Sequence, residues 1–357
     1  MKIVSTNRSK SIDVCRGLLF LLMINTHALT MASVSKGHWL FSDFWLPNGW
    51  ATVAFVVLSG YGVGYIFSVR ERAEQKISLI NRSKKILAVM FVSNFLFSAL
   101  QQLLIEKQGA ILLNPGWWLG FFTLKTNWTI SGVLLPTGLV LLCGLFMIRF
   151  CQQAPWTSLV VLVDLLVVIA LLKSSLAVAN CANTWILQFL LFKGFGFPVL
   201  PFVVNGCFGI WLGIFSRSNG RIALIVVLVI LMIVQVLIYF TGFISNPASW
   251  STLILSLGAI GKFAWVFMAA LLLLRLKSFM ISSAIGLIGK FSLGSFIMHR
   301  IFLNAIDLTW KHFCGNGLSP GYYYCLLISG ALVLTWYCCI IRERFPYINR
   351  YFTRLAL

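Results

Sequence analysis

Three ionisable side chains that could carry chemistry, Asp13, Arg16 and His27, lie on the first long apolar stretch of the sequence. On a helix, Arg16 and His27 are about three turns apart, so they lie within about 20° of one stripe and about 16 Å apart along the axis. Asp13 precedes Arg16 by three residues and is within pairing distance on nearly the same face. The spacing predicts an ion pair near one membrane surface and an imidazole in the opposite half, facing a common site. A structural ion pair and a helix-end histidine are the alternative.

A later apolar stretch repeats this pattern. Ser292, Ser295 and His299 share one stripe at positions i, i+3 and i+7, and Lys290 falls on roughly the opposite face. His299 is therefore expected to reach the same depth as His27. Two imidazoles at one depth can relay a proton or hold a substrate hydroxyl, and a structural hydrogen bond is the other interpretation of His299.

The densest group of basic residues lies in residues 70–85 and ends with Arg82, Lys84 and Lys85. Such a group can orient the chain in a membrane and bind anionic lipid headgroups. It can also hold the phosphates of a polyanionic cytoplasmic donor such as coenzyme A, because Arg and Lys pair strongly with phosphate. The two roles are compatible.

The elements that position these side chains must lie in lipid. Of the 357 residues 60% are hydrophobic and 10% are charged, with a mean hydropathy of +0.93, whereas soluble domains carry about 25% charged residues. The net charge of +20 comes from short basic clusters beside apolar stretches. That placement is typical of membrane orientation and contradicts a nucleic-acid-binding groove. The sequence predicts an all-α, polytopic transmembrane helical bundle.

Windows of about 20 residues predict ten spans within a single integral-membrane domain covering residues 1–357. The predicted spans are near residues 12–30, 50–69, 86–104, 128–148, 157–172, 199–216, 222–241, 253–274, 281–304 and 321–341.

Charge sets the predicted orientation. With both termini cytoplasmic, 18 Lys and Arg residues fall on the cytoplasmic side and 6 on the outer side, as the positive-inside rule requires. A span at residues 176–192 would invert everything after it. We therefore interpret that segment as a re-entrant or interfacial helix on the outer face.

The nine cysteines fit no metal or disulfide framework. No CxxC pair with metal-ligand spacing occurs, and most of the cysteines lie in apolar stretches. Neither a metal nor a permanently bound cofactor is predicted.

Many tryptophans fall on the predicted outer side. They form an aromatic belt or, alternatively, a stacking surface for sugar rings, with Trp50 as the candidate for substrate binding. Gly60 and Gly64 have the spacing of close helix packing. The eight tryptophans on this side are Trp39, Trp45, Trp50, Trp117, Trp118, Trp128, Trp185 and Trp250.

Four segments together resemble one known family. They are SIDVCRGLLFLLMINTHAL at 11–29, FVVLSGYGVGYIF at 55–67, LPFVVNGCFGIWLGIF at 200–215 and IGKFSLGSFIMHRIFL at 288–303. In this combination, with ten residues between Arg16 and His27, the sequence resembles the acyltransferase-3 superfamily of membrane O-acyltransferases, and within it the OpgC-like branch.

The resemblance implies transfer of an acyl group from cytoplasmic acyl-CoA to a hydroxyl of an extracytoplasmic glycan such as O-antigen, capsule or periplasmic glucan. The expected acyl group is acetyl, and succinyl transfer to periplasmic glucan is the alternative. The resemblance also implies that His27 is the catalytic histidine and that Arg16 is essential. The expected partners are acyl-CoA, the glycan and membrane lipids, with no nucleic acid. The location that the resemblance implies is the bacterial inner membrane.

Acyl transfer from a thioester to a sugar hydroxyl needs a base for the hydroxyl proton and a group that stabilises the oxyanion. We expect His27 to be the base, and Arg16 to bind the donor, oriented by Asp13. The sequence does not distinguish direct transfer from a reaction through a covalent acyl-His27 intermediate. His299, Ser292 and Trp50 are expected to bind the acceptor.

A succinyl donor would favour an additional cation at the donor site. Lys262 or Lys290 could supply that cation, or either could pair with Asp164 or a backbone carbonyl. The competing class of function is a transporter of polysaccharide or lipid-linked sugar, which also places charges inside the membrane.

Overall fold

The computed structural model describes residues 10–34, 50–100, 102–103, 109–122, 131–178, 185–191, 198–240, 251–276, 279–315 and 319–349. Over these residues the chain is helical, without a strand. The helices are α1 Lys10–Met31, α2 Trp50–Phe67, α3 Arg72–Leu100, a short 3-10 helix Gly109–Leu113, α4 Pro115–Phe122, α5 Ser131–Gln153, α6 Pro155–Val178, α7 Trp185–Leu191, α8 Val199–Phe240, α9 Ser251–Arg275, α10 Phe279–Lys290, α11 Ser292–Cys314 and α12 Pro320–Arg344.

The helices have the length and hydropathy of membrane spans. Seven of the described helices can cross a membrane, or eight if the bent pair Met280–Lys290 and Ser292–Phe313 counts as one span. The protein is therefore an all-α, multi-pass membrane protein, as its composition predicts. The number of ten spans and the cytoplasmic termini stay predictions.

Helix α8 contains two of the predicted spans. Its 42 residues would be about 63 Å long, roughly twice the thickness of the hydrocarbon core. The two halves meet at Gly220, whose φ of 82° is not helical. Glycine adopts positive φ without a steric penalty, so this residue allows the chain to break between residues 199–216 and 222–241.

The span predicted near residues 281–304 is not one straight helix, and whether the bent pair crosses the membrane as one span stays a prediction. The chain leaves the helix at Phe291, and the helices on either side are bent by 90°. The physical reason is tertiary, because α10 packs closely against α1. A Cβ atom on Gly289 would lie 1.8 Å from the carbonyl oxygen of Asp13, and one on Gly17 would lie 2.1 Å from that of Ile285.

The helices form two compact units. The first contains α1, α10, α11, α12 and the part of α9 that begins at Lys262. Within it, α1 packs against α10, α11 and α12, and α11 packs against α12. The ionisable residues of α1 and α11 therefore belong to one unit.

The second unit contains α2 from Thr52 on, α3 to α8 and the beginning of α9. Glycines hold α2 against α8: a Cβ atom on Gly60 would lie 1.9 Å from the Gly206 carbonyl oxygen, and one on Gly64 would lie 2.1 Å from that of Ile210. This is the close contact that the small-residue spacing predicts. The prediction of a single domain is not tested by this division of the helices.

The segment at residues 176–192 is only partly described. Helix α6 continues to Val178, and the seven residues of α7 are too few to cross a membrane. Residues 179–184 lie outside the described residues. A re-entrant or interfacial helix stays a prediction.

Candidate functional site

Helix α1 places its three ionisable side chains on one continuous helix, so the predicted common stripe of Arg16 and His27 holds. Arg16 Nη1 lies 3.7 Å from Asp13 Oδ1, with 27% and 12% of the two side chains exposed. The predicted ion pair therefore forms. It is half-buried in an apolar helix, where an ionisable group costs at least about 2.5 kcal/mol and is retained for structure or function.

The imidazoles of α1 and α11 come together. The ring centroids of His27 and His299 are 5.6 Å apart, and the ring planes differ by 26°. His299 is buried, with 2% exposure, whereas His27 is only half-buried. The expectation that the two histidines reach the same depth is thus met, and His27 is the more exposed of the two rings.

The protonation of the His299 ring follows from its neighbours. Its Nδ1 lies 3.2 Å from the Ser295 carbonyl oxygen, which can only accept, so Nδ1 carries the proton and donates it. Nε2 is then an acceptor, and it is buried without a hydrogen-bond partner among the described residues. Buried polar atoms are nearly always paired. The vacant acceptor therefore fits a hydroxyl supplied by a substrate or by water.

No hydrogen bond between the two rings is present in the described structure, because His299 Nδ1 is used by Ser295 and Nε2 has no partner. The direct form of the proton relay considered from sequence is therefore not formed. A relay through this pair requires a bridging hydroxyl.

Arg300 is a residue of the site that the sequence pattern missed. It is half-buried, and its positive charge acts on both His27 and His299. A guanidinium beside two imidazoles can stabilise an oxyanion that develops next to them. Its position directly after His299 in the sequence was the available signal.

Aromatic rings enclose His299 on two sides. The Phe20 ring meets it edge-on with centroids 5.3 Å apart, and the Phe296 ring lies at 5.8 Å. Such walls exclude water and strengthen every electrostatic interaction inside the site.

The end of α1 that carries His27 is attached to α12. The Tyr324 hydroxyl donates a hydrogen bond to Asn25 Oδ1, two residues before His27. This bond fixes the rotation of α1 at the level of the imidazole, and no sequence pattern indicated it.

The two other predicted acceptor-binding residues lie elsewhere. Ser292 is the first residue of α11 and half-buried, about 10 Å along the helix from His299. Trp50 is the first residue of α2 and buried, with 6% exposure, so it can stack on a sugar only if its surroundings open. Trp39, Trp45, Trp128 and Trp250 lie outside the described residues.

Three of the predicted donor-binding residues lie on α3, whereas the fourth, Arg16, lies on α1. Arg82, Lys84 and Lys85 are exposed, while Ser83 between them is buried and donates to the Gly138 carbonyl oxygen at 2.8 Å. This bond turns the basic side chains outward.

A further arginine joins this basic group. The guanidinium groups of Arg70 and Arg82 lie 4.8 Å and 5.1 Å from the centroid of the Phe67 ring. Arg70, between α2 and α3, and Arg82, on α3, therefore lie close together at the Phe67 ring. Such a group can bind a polyphosphate, and it belongs to the second unit.

Lys290 has a different partner from those expected. Its Nζ lies 2.6 Å from Glu343 Oε2, which links the end of α10 to the end of α12. Lys262 is buried, and Asp164 is exposed on α6. Lys290 is the last residue of α10, and Phe291 separates it from the stripe on α11.

A metal centre receives no support from the described residues, which contain no group of three or more His, Cys, Asp or Glu side chains that could hold an ion.

Residues 9–340 match the model of one protein family, the acyltransferase-3 family, described as an acyltransferase domain. The match covers nearly the whole chain and includes both histidines. No curated protein and no solved structure matches the chain.

Proposed function

The chain belongs to the acyltransferase-3 superfamily, and from this premise we propose that it transfers an acyl group from acyl-CoA to a hydroxyl of a cell-surface glycan. The acyl group that we propose is acetyl. The donor is cytoplasmic, the glycan is extracytoplasmic, and the membrane is the bacterial inner membrane. The observation that carries the proposal is the His27 and His299 pair beside Arg300, since this arrangement offers a base, a hydroxyl acceptor and a cation in one place.

The proposed reaction begins at His27. Its half-buried ring takes the proton of the attacking hydroxyl as the hydroxyl oxygen forms a bond to the thioester carbonyl carbon. The bond to sulfur then breaks, and the thiolate of coenzyme A receives the proton from the imidazolium. An imidazole is suited to both transfers because its unperturbed pKa lies near neutrality.

His299 holds the acceptor in this scheme. A sugar carries several hydroxyl groups, and a hydroxyl beside the reacting one can donate to the vacant Nε2 of His299. Because the tautomer of His299 is fixed by Ser295, this atom is ready to accept. Orientation of two reactants is worth several powers of ten in rate.

Arg300 and Arg16 have different roles in this scheme. Arg300 acts on both imidazoles, and we assign it to the oxyanion. Arg16, with Asp13 as its orienting partner, is assigned to the donor, about three helical turns from His27. The basic group of Arg70, Arg82, Lys84 and Lys85 is assigned to the phosphates of coenzyme A.

The test is a transfer assay with radiolabelled acetyl-CoA, purified protein and cell-surface glycan from the same cells. Labelled glycan, together with release of free coenzyme A, supports the proposal. A parallel assay with succinyl-CoA decides which acyl group is used. A protein that transports labelled glycan but consumes neither thioester is a transporter, and this result would overturn the proposal.

A further inference from the structure

A cavity of about 270 Å³ lies between α11 and α12. Residues of both helices line it, among them Met298 on α11 and Thr335, Cys338 and Arg342 on α12, together with Phe291 just before α11. Its walls are almost entirely apolar. No role in the acyl transfer proposed above requires this cavity.

The cavity is elongated along the helices. Ser295 Oγ lies 3.4 Å from Cys339 Sγ, so the beginning of α11 faces the end of α12. The lining residues extend from Phe291, just before α11, to Met298 on that helix and from Thr335 to Arg342 on α12, with Ile348 beyond the end of α12. Seven residues of a helix correspond to about 10 Å.

Its size and lining fit an alkyl chain. An apolar cavity of about 150 Å³ accommodates benzene, so 270 Å³ holds roughly eleven carbon atoms by proportion. A polar ligand such as the pantetheine arm of coenzyme A carries amide groups, which would lose their hydrogen bonds here at a cost of about 1–3 kcal/mol each.

One end of the cavity is positively charged. The guanidinium of Arg342 lies 4.4 Å from the centroid of the Phe291 ring, and its Nε donates to Asn349 Oδ1 at 3.1 Å. Arg344 also lies in the last turn of α12, where Glu343 between the two arginines pairs with Lys290. The basic end of α12 therefore lies beside an apolar cavity.

We propose that this cavity binds one acyl chain of an anionic phospholipid of the surrounding membrane, with the lipid phosphate at Arg342. A basic residue near a membrane surface attracts anionic lipid by about 1 kcal/mol. The bound chain lies against Ser295, whose carbonyl oxygen fixes the tautomer of His299. The lipid thus supports the turn of α11 that precedes the imidazole.

The experiment uses the full chain in nanodiscs of phosphatidylcholine that contain a small fraction of phosphatidylglycerol with a photoreactive diazirine on its acyl chain. After illumination, mass spectrometry locates the labelled peptides. We expect labelling concentrated in residues 291–298 and 335–342. In Arg342→Gln, labelling should fall about five-fold, and a diazirine phosphatidylcholine probe should label this site of the unaltered protein less by a similar factor.

Three further variants identify the occupant. Cys338→Trp fills the cavity and should abolish the labelling, whereas Cys325→Trp, at an exposed position of the same helix, should not change it. Thr335→Val keeps the shape of a buried side chain whose hydroxyl has no partner in the described structure, and labelling by an alkyl chain should persist.

Three results would overturn the proposal. One is equal labelling of every lipid-facing helix, which indicates annular lipid only. Another is labelling at the cavity that is equally strong with the phosphatidylglycerol and phosphatidylcholine probes and is unchanged in Arg342→Gln. The last is protection of the cavity by acetyl-CoA together with loss of that protection in Thr335→Val, because this combination assigns the cavity to the acyl donor. None of these outcomes depends on whether the protein transfers acyl groups to a glycan.

Discussion

His27 and His299 lie with their ring centroids 5.6 Å apart, although they stand near opposite ends of the chain. His299 donates its Nδ1 proton to the Ser295 carbonyl oxygen, and its Nε2 has no hydrogen-bond partner among the described residues, while His27 is the more exposed ring. The two imidazoles therefore differ in hydrogen bonding and in exposure, and the different roles proposed for them rest on this difference.

Replacement of His27 by Gln should remove the base. We expect acyl transfer to fall by about a hundred- to ten-thousand-fold, the usual loss when a general base is removed. The measurement is initial rate at saturating acetyl-CoA and glycan, with membrane level determined by immunoblot. His312→Gln is the matched control, because His312 is an exposed histidine in the last turn of α11. Normal acylation by a well-inserted His27→Gln protein would exclude His27 as the base.

Replacement of His299 by Phe should separate binding from chemistry. Phenylalanine keeps the contacts with Phe20 and Phe296 but removes the vacant Nε2. A typical hydrogen bond contributes about 0.5–1.5 kcal/mol, so we expect the KM for the glycan to rise about two- to ten-fold, with a smaller change in kcat. An unchanged KM combined with a large loss of kcat would instead place His299 in the proton transfer.

Arg16 and Asp13 should act on the donor with unequal strength. Arg16→Gln removes the proposed donor contact and should raise the KM for acetyl-CoA by about ten-fold or more, since a hydrogen bond to a charged group contributes about 1.5–3 kcal/mol. Asp13→Asn should raise it less than about five-fold, because a 3.7 Å ion pair with partial exposure is weak. Steady-state kinetics with varied acetyl-CoA measures both. Equal losses of kcat at unchanged KM would contradict the donor assignment.

The basic group around Phe67 can be tested through Arg82. Arg82→Gln should raise the KM for acetyl-CoA by about ten-fold if its guanidinium binds phosphate. Arg149→Gln removes an exposed arginine at another position of the second unit and should leave the KM unchanged. The same shift in both variants would show a general effect of surface charge, which high salt should then suppress.

Gly289 should be required for the contact of α10 with α1. The Cβ of Gly289→Ala would lie 1.8 Å from the Asp13 carbonyl oxygen, whereas the Cβ of Gly258→Ala meets no atom within 4 Å. Overpacking costs about 1–3 kcal/mol, so Gly289→Ala should lower the thermal stability of the purified protein. Gly258→Ala should preserve it. Equal stability of the two variants would show that α10 and α1 are less closely packed than described.

The sequence determined the class of the protein and the placement of most helices. Exposing long apolar stretches to water is unfavourable, so these stretches lie in a membrane. In lipid the backbone must satisfy its own hydrogen bonds, which a helix does. The eleven-residue spacing of Arg16 and His27 specifies one stripe because α1 is regular. The OpgC-like branch, the acyl group, the glycan and the roles of the site residues stay predictions.

Tertiary structure decided what no local pattern contains. The bend at Phe291 arises where α10 packs against α1 through Gly17 and Gly289, although the residues on its two sides are together long and apolar enough for one span. Likewise, the Lys290 partner comes from α12. His27 meets His299 because α1 and α11 fold side by side, and Nε2 of His299 is buried with no hydrogen-bond partner among the described residues. These contacts depend on the distances between helices, which sequence periodicity does not specify.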